Sequence, residues 1–151
     1  MASTTYAAGE ARTLALTDSV VLGVAAGLVG GSVFGVQMAV GNMLPMVASM
    51  IGSESVVVGM IVHLLISGVI GAVYGVVAPR LPAGWPITLG AGIVYGIIWW
   101  VLGALVIMPI ILGMGEMVLQ VGDMQWMSLV GHVFFGIVTA AFYGLAARRA
   151  G

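Results

Sequence analysis

The chain of 151 residues has no cysteine, no lysine and little charge of either sign, with four arginines, five acidic residues and a formal net charge of -1. Without cysteine, disulfide scaffolds, iron-sulfur clusters, thiolate zinc sites, c-type haem attachment and dithiol redox relays are excluded. The lack of any run of basic residues argues against nucleic acid as a partner. Charged residues make up 6% of the chain and apolar residues 62%, whereas soluble domains carry about 25% charge. That composition excludes a water-soluble globular fold.

The few charges leave four uncharged windows, 19–53, 55–79, 81–115 and 124–147. Each can hold the roughly 20 apolar residues that carry a helix across the hydrocarbon core. The expected fold is therefore all-α and integral to the membrane: four transmembrane helices in a single domain, 1–151. Glu10, Arg12 and Asp18 precede the first apolar stretch. A cleavable secretory signal would place basic residues first and a small-residue cleavage site after a short apolar core, so the first span reads as a retained anchor.

Arg12, Arg80, Arg148 and Arg149 fall on one side of a four-span topology, while Glu54, Glu116 and Asp123 occupy the two loops on the other. The positive-inside bias puts both termini in the cytoplasm. Trp85 and Tyr143 at the inner boundary and Trp126 at the outer one suit aromatic belts. The first and third windows exceed one crossing, and Pro45 and Pro109 mark the division. Each proline is expected at the outer boundary, opening or kinking a short apolar segment, 45–52 and 109–122. Ser53 and Asp123 read as N-caps of the second and fourth spans.

The order of windows, long, short, long, short, suggests two halves. Residues 63–75 align with 132–144 at a constant offset of 69, matching His, Val, Ala, Tyr and Gly, and Arg80 then falls on Arg149. Repeat one covers about 19–80 and repeat two about 86–149. Each repeat holds two spans and enters the membrane in the same orientation, so a pseudo-two-fold axis along the membrane normal is expected. Small residues recur every four positions: Gly23, Gly27, Gly31 and Gly35 on the first span, Gly92 and Gly96 on the third. Ser67, Gly71 and Gly75 on the second span and Gly136, Ala140 and Gly144 on the fourth do the same. Such ladders let helix backbones approach closely in lipid, where no hydrophobic difference drives association.

Extending the ladders backwards reaches His63 and His132, which places both imidazoles on packed faces at matching depth in the outer half. Gln37 reaches a similar layer and is their candidate polar partner; Trp99 and Trp100 lie nearby. An ionisable residue within a membrane is a functional-site hypothesis by default. One reading is that His63 and His132 ligate a b-type haem. Another is Cu(I), with Met60 three residues before His63 and nine of the eleven methionines in the outer half. Against both stands a structural role: neutral imidazoles bonding each other, Gln37 or a backbone carbonyl, with methionine filling irregular gaps. No Asp or Glu lies mid-membrane, and no nucleophile constellation is recognisable, so catalytic residues are not assigned and enzyme activity is not expected.

The stretches 63–75 and 132–144 and the Met-Leu-Pro and Ile-Met-Pro turns resemble a widespread group of uncharacterised prokaryotic four-span membrane proteins, including those called YagU-like. In that group a histidine opens the second and fourth spans and a Tyr-Gly closes them. The resemblance implies a prokaryotic cytoplasmic (inner) membrane and supplies no activity. The use of arginine without lysine is compatible with a GC-rich genome. Three functional expectations follow. The first is a non-catalytic subunit packing against other membrane subunits or itself. The second is a haem or copper protein for electron transfer or metal handling, using His63 and His132. The third is a small-solute transporter or pore lined by Gln37 and the histidines.

Overall fold

The computed structural model describes residues 15–150, so Glu10 and Arg12 lie outside the described residues. It is helical, with no strand among the described residues: α1 (Leu16–Val40), α2 (Leu44–Ser49), α3 (Val56–Val77), α4 (Trp85–Trp99), α5 (Met108–Ile111) and α6 (Asp123–Ala150). A 3-10 turn, Ala78–Arg80, prolongs α3, and a π-helical segment, Trp100–Ile107, joins α4 to α5 in one continuous rod. Four helical stretches are long and apolar enough to cross a membrane: Leu16–Val40, Val56–Arg80, Trp85–Ile111 and Asp123–Arg149, with mean hydropathies of 1.8 to 2.5. Large apolar side chains stand exposed along all of them, among them Val21, Leu65, Val69, Val94 and Phe134. Such a surface points to lipid as its solvent.

The spans form a curved row whose outer members meet only through side chains, Tyr95 reaching Ile70 and Tyr74. α1 packs on α3 and on α6, α6 packs on α4, and α3 and α4 are the outer members. Contact along α1 is backbone to backbone. A Cβ on Gly27 would lie 2.6 Å from Gly71 Cα, and one on Gly71 would lie 2.7 Å from Gly27 Cα. At the α4–α6 seam a Cβ on Gly92 would lie 2.9 Å from Ala140 Cβ, and one on Gly136 2.8 Å from Gly96 N. Contacts this close leave no room for a side chain, and dispersion attraction between the two backbones holds the seams.

Polar bonds pin the row at the end carrying the termini. Ser19 Oγ donates to Gly75 O at 2.6 Å and bonds Tyr143 OH at 2.5 Å, joining α1, α3 and α6. Tyr143 is buried against Ala26, Tyr74 and Ala140. It is thus a core residue and not the interfacial anchor expected from its position near the end of an apolar run. Trp85 does sit at this end, where the Arg148 guanidinium lies 4.5 Å from the centre of its ring.

At the opposite end α1 stops at Gly41 and Asn42, whose φ of 52° is left-handed. Pro45 sits in the first turn of α2, where its missing N–H costs nothing. α2 is not a loose cap: Leu44, Val47 and Ala48 are buried, and the backbone of Leu44 rests on Gly59 of α3. Pro109 stands in the first turn of α5, which continues the helical rod to Ile111. A proline orphans the carbonyl four residues earlier, here that of Leu105. Leu119 N–H donates to Leu105 O at 2.9 Å from a loop that folds back, so the rod need not end.

The caps also shift. Ser55, not Ser53, caps α3 by accepting from Val58 N, while Ser53 Oγ accepts from Ser55 N. Asp123 is the first helical residue of α6. Gly122 precedes it as the cap, its carbonyl accepting from Trp126 N and its N–H held by Gln125 Oε1.

The seams give a direct test. Gly27→Val or Gly71→Val forces α1 and α3 apart and should cost about 1–3 kcal/mol or more in an SDS-unfolding titration. At Gly90 a Cβ would meet nothing within 4 Å; Gly90→Ala should be neutral or gain up to about 1 kcal/mol of helix propensity. Equal effects at the two positions would contradict the packing described.

Candidate ligand cavity

His63 and His132 are both anchored through one ring nitrogen to a backbone carbonyl. His63 Nε2 donates to Gly31 O on α1 at 2.9 Å, and Ser67 Oγ in turn donates to His63 O at 2.7 Å. His132 Nδ1 donates to Ser128 O one turn earlier at 2.8 Å, with Ser128 Oγ at 3.3 Å. A carbonyl only accepts, so the proton of each neutral ring sits on the bonded nitrogen. Nδ1 of His63 and Nε2 of His132 are left as lone-pair acceptors.

The two imidazoles meet through Phe34 of α1. Its ring centre lies 5.2 Å from that of His63 and 4.8 Å from that of His132, edge to face in both cases. The Phe34 ring covers Gly131, where any Cβ would overlap it. A macrocycle ligated by both histidines would have to displace Phe34. Gln37 is not a partner of either ring; it donates to Met127 O at 2.9 Å. Met60 lies outside the cavity, its thioether packed where a Cβ on Gly35 would be, 2.8 Å away.

Beside Phe34 and the histidines lies a cavity of about 370 Å³, bounded by α2, α3, the π-helical segment, α5 and the start of α6. Its walls carry six methionines (Met38, Met43, Met46, Met50, Met108, Met124) and three aromatic rings (Phe34, Trp99, Phe135). Among the described residues no charged one lines it. Gly103 and Ala104 of the π-helical segment form one wall, and a Cβ on Gly103 would meet nothing within 4 Å. Insertion of π-helical turns is a frequent feature of functional sites, and here it rotates small residues toward the open space. Of its lining residues Ile66 of α3, Ile107 and Ile111 are exposed between the outer helices, and Met46 and Met124 are exposed at the end near α2.

Adjacent tryptophans serve opposite purposes. Trp100 Nε1 donates to Gln125 O at 2.9 Å and the ring stacks on Trp126. Trp99 lines the cavity with its ring, which packs edge to face on Tyr95, while its Nε1 is buried away from the open space with no hydrogen-bond partner. Leaving such a donor unmet costs about 1–3 kcal/mol. Toward the termini the cavity is closed by Tyr95, which bridges the outer helices by donating to Ile70 O at 2.5 Å. Tyr74 and Tyr143 complete that layer, with Tyr74 edge to face on both other rings.

Phe34, Ser128, Gly131 and the wall glycine Gly103 were not singled out by sequence reasoning. The available signals were the adjacency of Phe34 to the Gly31–Gly35 ladder and of Gly131 to His132. Among the described residues no group of three or more His, Cys, Asp and Glu is placed to hold a metal ion. Any metal would rely on the two imidazoles and on thioethers.

Nitrogen-15 NMR of histidine-labelled protein in bilayers at neutral pH should show two different neutral tautomers, Nε2–H for His63 and Nδ1–H for His132. Two identical tautomers, or two imidazolium signals, would contradict the hydrogen-bond pattern. No protein family matches the chain, and neither the curated proteins nor the solved structures yielded a match.

Proposed function

We propose that the chain is a non-catalytic multi-pass membrane protein that binds a small lipophilic molecule in the cavity beside His63 and His132. The observation carrying this reading is the cavity itself. It is about 370 Å³, within the range of small-molecule sites, apolar, and lined by a few convergent polar groups. Cavities with apolar walls take up apolar guests. The mouth between two lipid-facing helices would admit such a guest from the bilayer, and flexible methionine walls adapt to its shape.

A Cβ at Gly103 meets nothing within 4 Å, so Gly103→Phe adds bulk to the cavity wall at a position with room for it. Saturable quenching of tryptophan fluorescence by 1,4-dibromobenzene in detergent is expected for the parent chain, at Trp99, and should be lost in Gly103→Phe with stability unchanged. Unsaturable quenching identical in the two proteins would refute the site.

The finer architecture belongs to the same proposal: a tandem two-helix repeat, both termini cytoplasmic, in a prokaryotic inner membrane, with membership of the YagU-like group. The repeat is supported by parallel seams, since Gly27 faces Ser67 and Gly71 as Gly92 faces Gly136 and Ala140. The orientation is supported by the placement of the arginines. Because the chain has no cysteine, single cysteines report sidedness cleanly. In intact cells, Ser53→Cys should react with an impermeant maleimide and Ala83→Cys should not; the reverse pattern would invert the topology.

A second reading, a subunit packing on other membrane helices or on itself, rests on a different surface. Val24, Leu28, Leu65, Gly68 and Ala72 line a shallow apolar groove on the α1–α3 face. Haem ligation by both histidines is disfavoured by Phe34, and a through-pore by the tyrosine layer.

A further inference from the structure

We propose that the cavity is a second copy of the α1–α6 seam that cannot close, because Tyr95 and Val62 stand where Gly30 and Gly131 close the first copy. This rests on the tandem repeat and on the cavity reading, and it names the residues that make the site.

Contacts of the glycines set the register between α1 and α4. Gly27 meets Ser67 and Gly71, and Gly92 meets Gly136 and Ala140, each 69 residues further along the chain. Gly92 is thus the counterpart of Gly27, at an offset of 65 that also relates Gly96 to Gly31. Counterparts on α3 and α6 meet near the centre of the bundle. The ring centres of Tyr74 and Tyr143 lie 5.6 Å apart, and His63 and His132 share Phe34. A two-fold axis passing there exchanges the α1–α6 seam with the space between α4 and α3.

The first seam closes through glycine at two levels. Gly30 of α1 fits against Thr139 and Phe135 of α6, where a Cβ would lie 2.8 Å from Phe135 O. At the histidine level the Phe34 ring occupies the space that a Cβ on Gly131 would need. The same offsets lead from Gly30 to Tyr95, from Thr139 and Phe135 to Ile70 and Ile66, from Gly131 to Val62 and from Phe34 to Trp99. Close helix packing needs small residues, and both glycines are replaced by large ones. Tyr95 becomes a strut, its hydroxyl reaching Ile70 O across the gap. Val62 carries the side chain that Gly131 lacks, and the Trp99 ring packs on Tyr95 of its own helix. Phe135 and Thr139 are buried in the first seam, whereas Ile66 is exposed and lines the cavity with Ile70.

Removing bulk from a cavity wall ordinarily enlarges the cavity; at these two positions it should let the helices close. Val62→Gly combined with Tyr95→Gly restores the small residues of the first seam. Spin labels on Leu65→Cys and Leu102→Cys, which are exposed and outside the cavity, report the separation of the outer helices in the full chain. The distance should shorten in the double variant, as the helices approach the spacing of about 8–10 Å between packed axes. Saturable quenching by 1,4-dibromobenzene should be lost with it. Tyr95→Phe keeps the bulk without the hydroxyl and should retain both the parent distance and the quenching. Tyr95→Ala and Val62→Ala, milder changes, should each shorten the distance by less. An unchanged or longer distance in the double variant, or in both alanine variants where the double variant does not fold, would overturn the proposal. So would quenching that persists or strengthens when the bulk is removed. Absence of quenching in the parent chain would overturn the guest reading, and the distances would still decide the seam.

Discussion

The close approach of α1 to α3 through Gly23, Gly27, Gly71 and Gly75 is the constraint from which the rest of the structure follows. In lipid the hydrophobic effect does not separate one helix face from another, so close packing and interhelical hydrogen bonds decide which faces meet. Where glycine faces glycine the helices touch along their backbones and no side chain can enter. The volume that side chains would fill is thereby moved to the ends and flanks of the seams. At the terminal end it is taken up by Tyr74, Tyr95 and Tyr143 with Ser19. At the other end it is only partly filled, by α2 and the methionines, and the remainder is the cavity.

The arrangement as a row explains where that cavity opens. α3 and α4 each have one close neighbour, and Tyr95 to Ile70 is the hydrogen bond that joins them. Beyond that bond, toward α2, the cavity lies between the outer helices. The π-helical segment and Pro109 lie in this part of the rod, and the loop residue Leu119 compensates the carbonyl that proline leaves unmet. A deviation from regular helix, a folded-back loop and a wall of small residues thus coincide at one place. Coincidence of this kind is more often found at binding sites than in regular packing.

Much of the architecture was legible in the sequence and some of it was not, for identifiable reasons. The spans were legible because charge is so expensive in the hydrocarbon core that its absence over 24 or more residues has one reading. The end of α1 was legible because Gly41, Asn42 and Pro45 act locally. The continuity of the rod through Pro109 was not legible, because the donor that serves the carbonyl left free by proline, Leu119 N–H, lies ten residues away across the Gly113 turn. Tyr143 was misread because its partner Ser19 is at the far end of the chain. The spacing of His63 and His132 from their small-residue ladders indicated which helix face each occupies. It carried no information on Phe34, which faces α6 while its neighbour Gly35 faces α3. Nor could it tell Trp99 from Trp100, because helix phase through a π-helical segment is not encoded in a period of four.

The central claim is that this bundle carries a small molecule and not merely lipid on its surface. Native mass spectrometry of the chain extracted in mild detergent addresses it most directly, because one spectrum reports stoichiometry and retained mass together. The result predicted is protein of 15.4 kDa per chain bearing one additional small-molecule mass that is absent from Gly103→Phe. Bare protein in both spectra, or retained mass that the substitution does not remove, would contradict it.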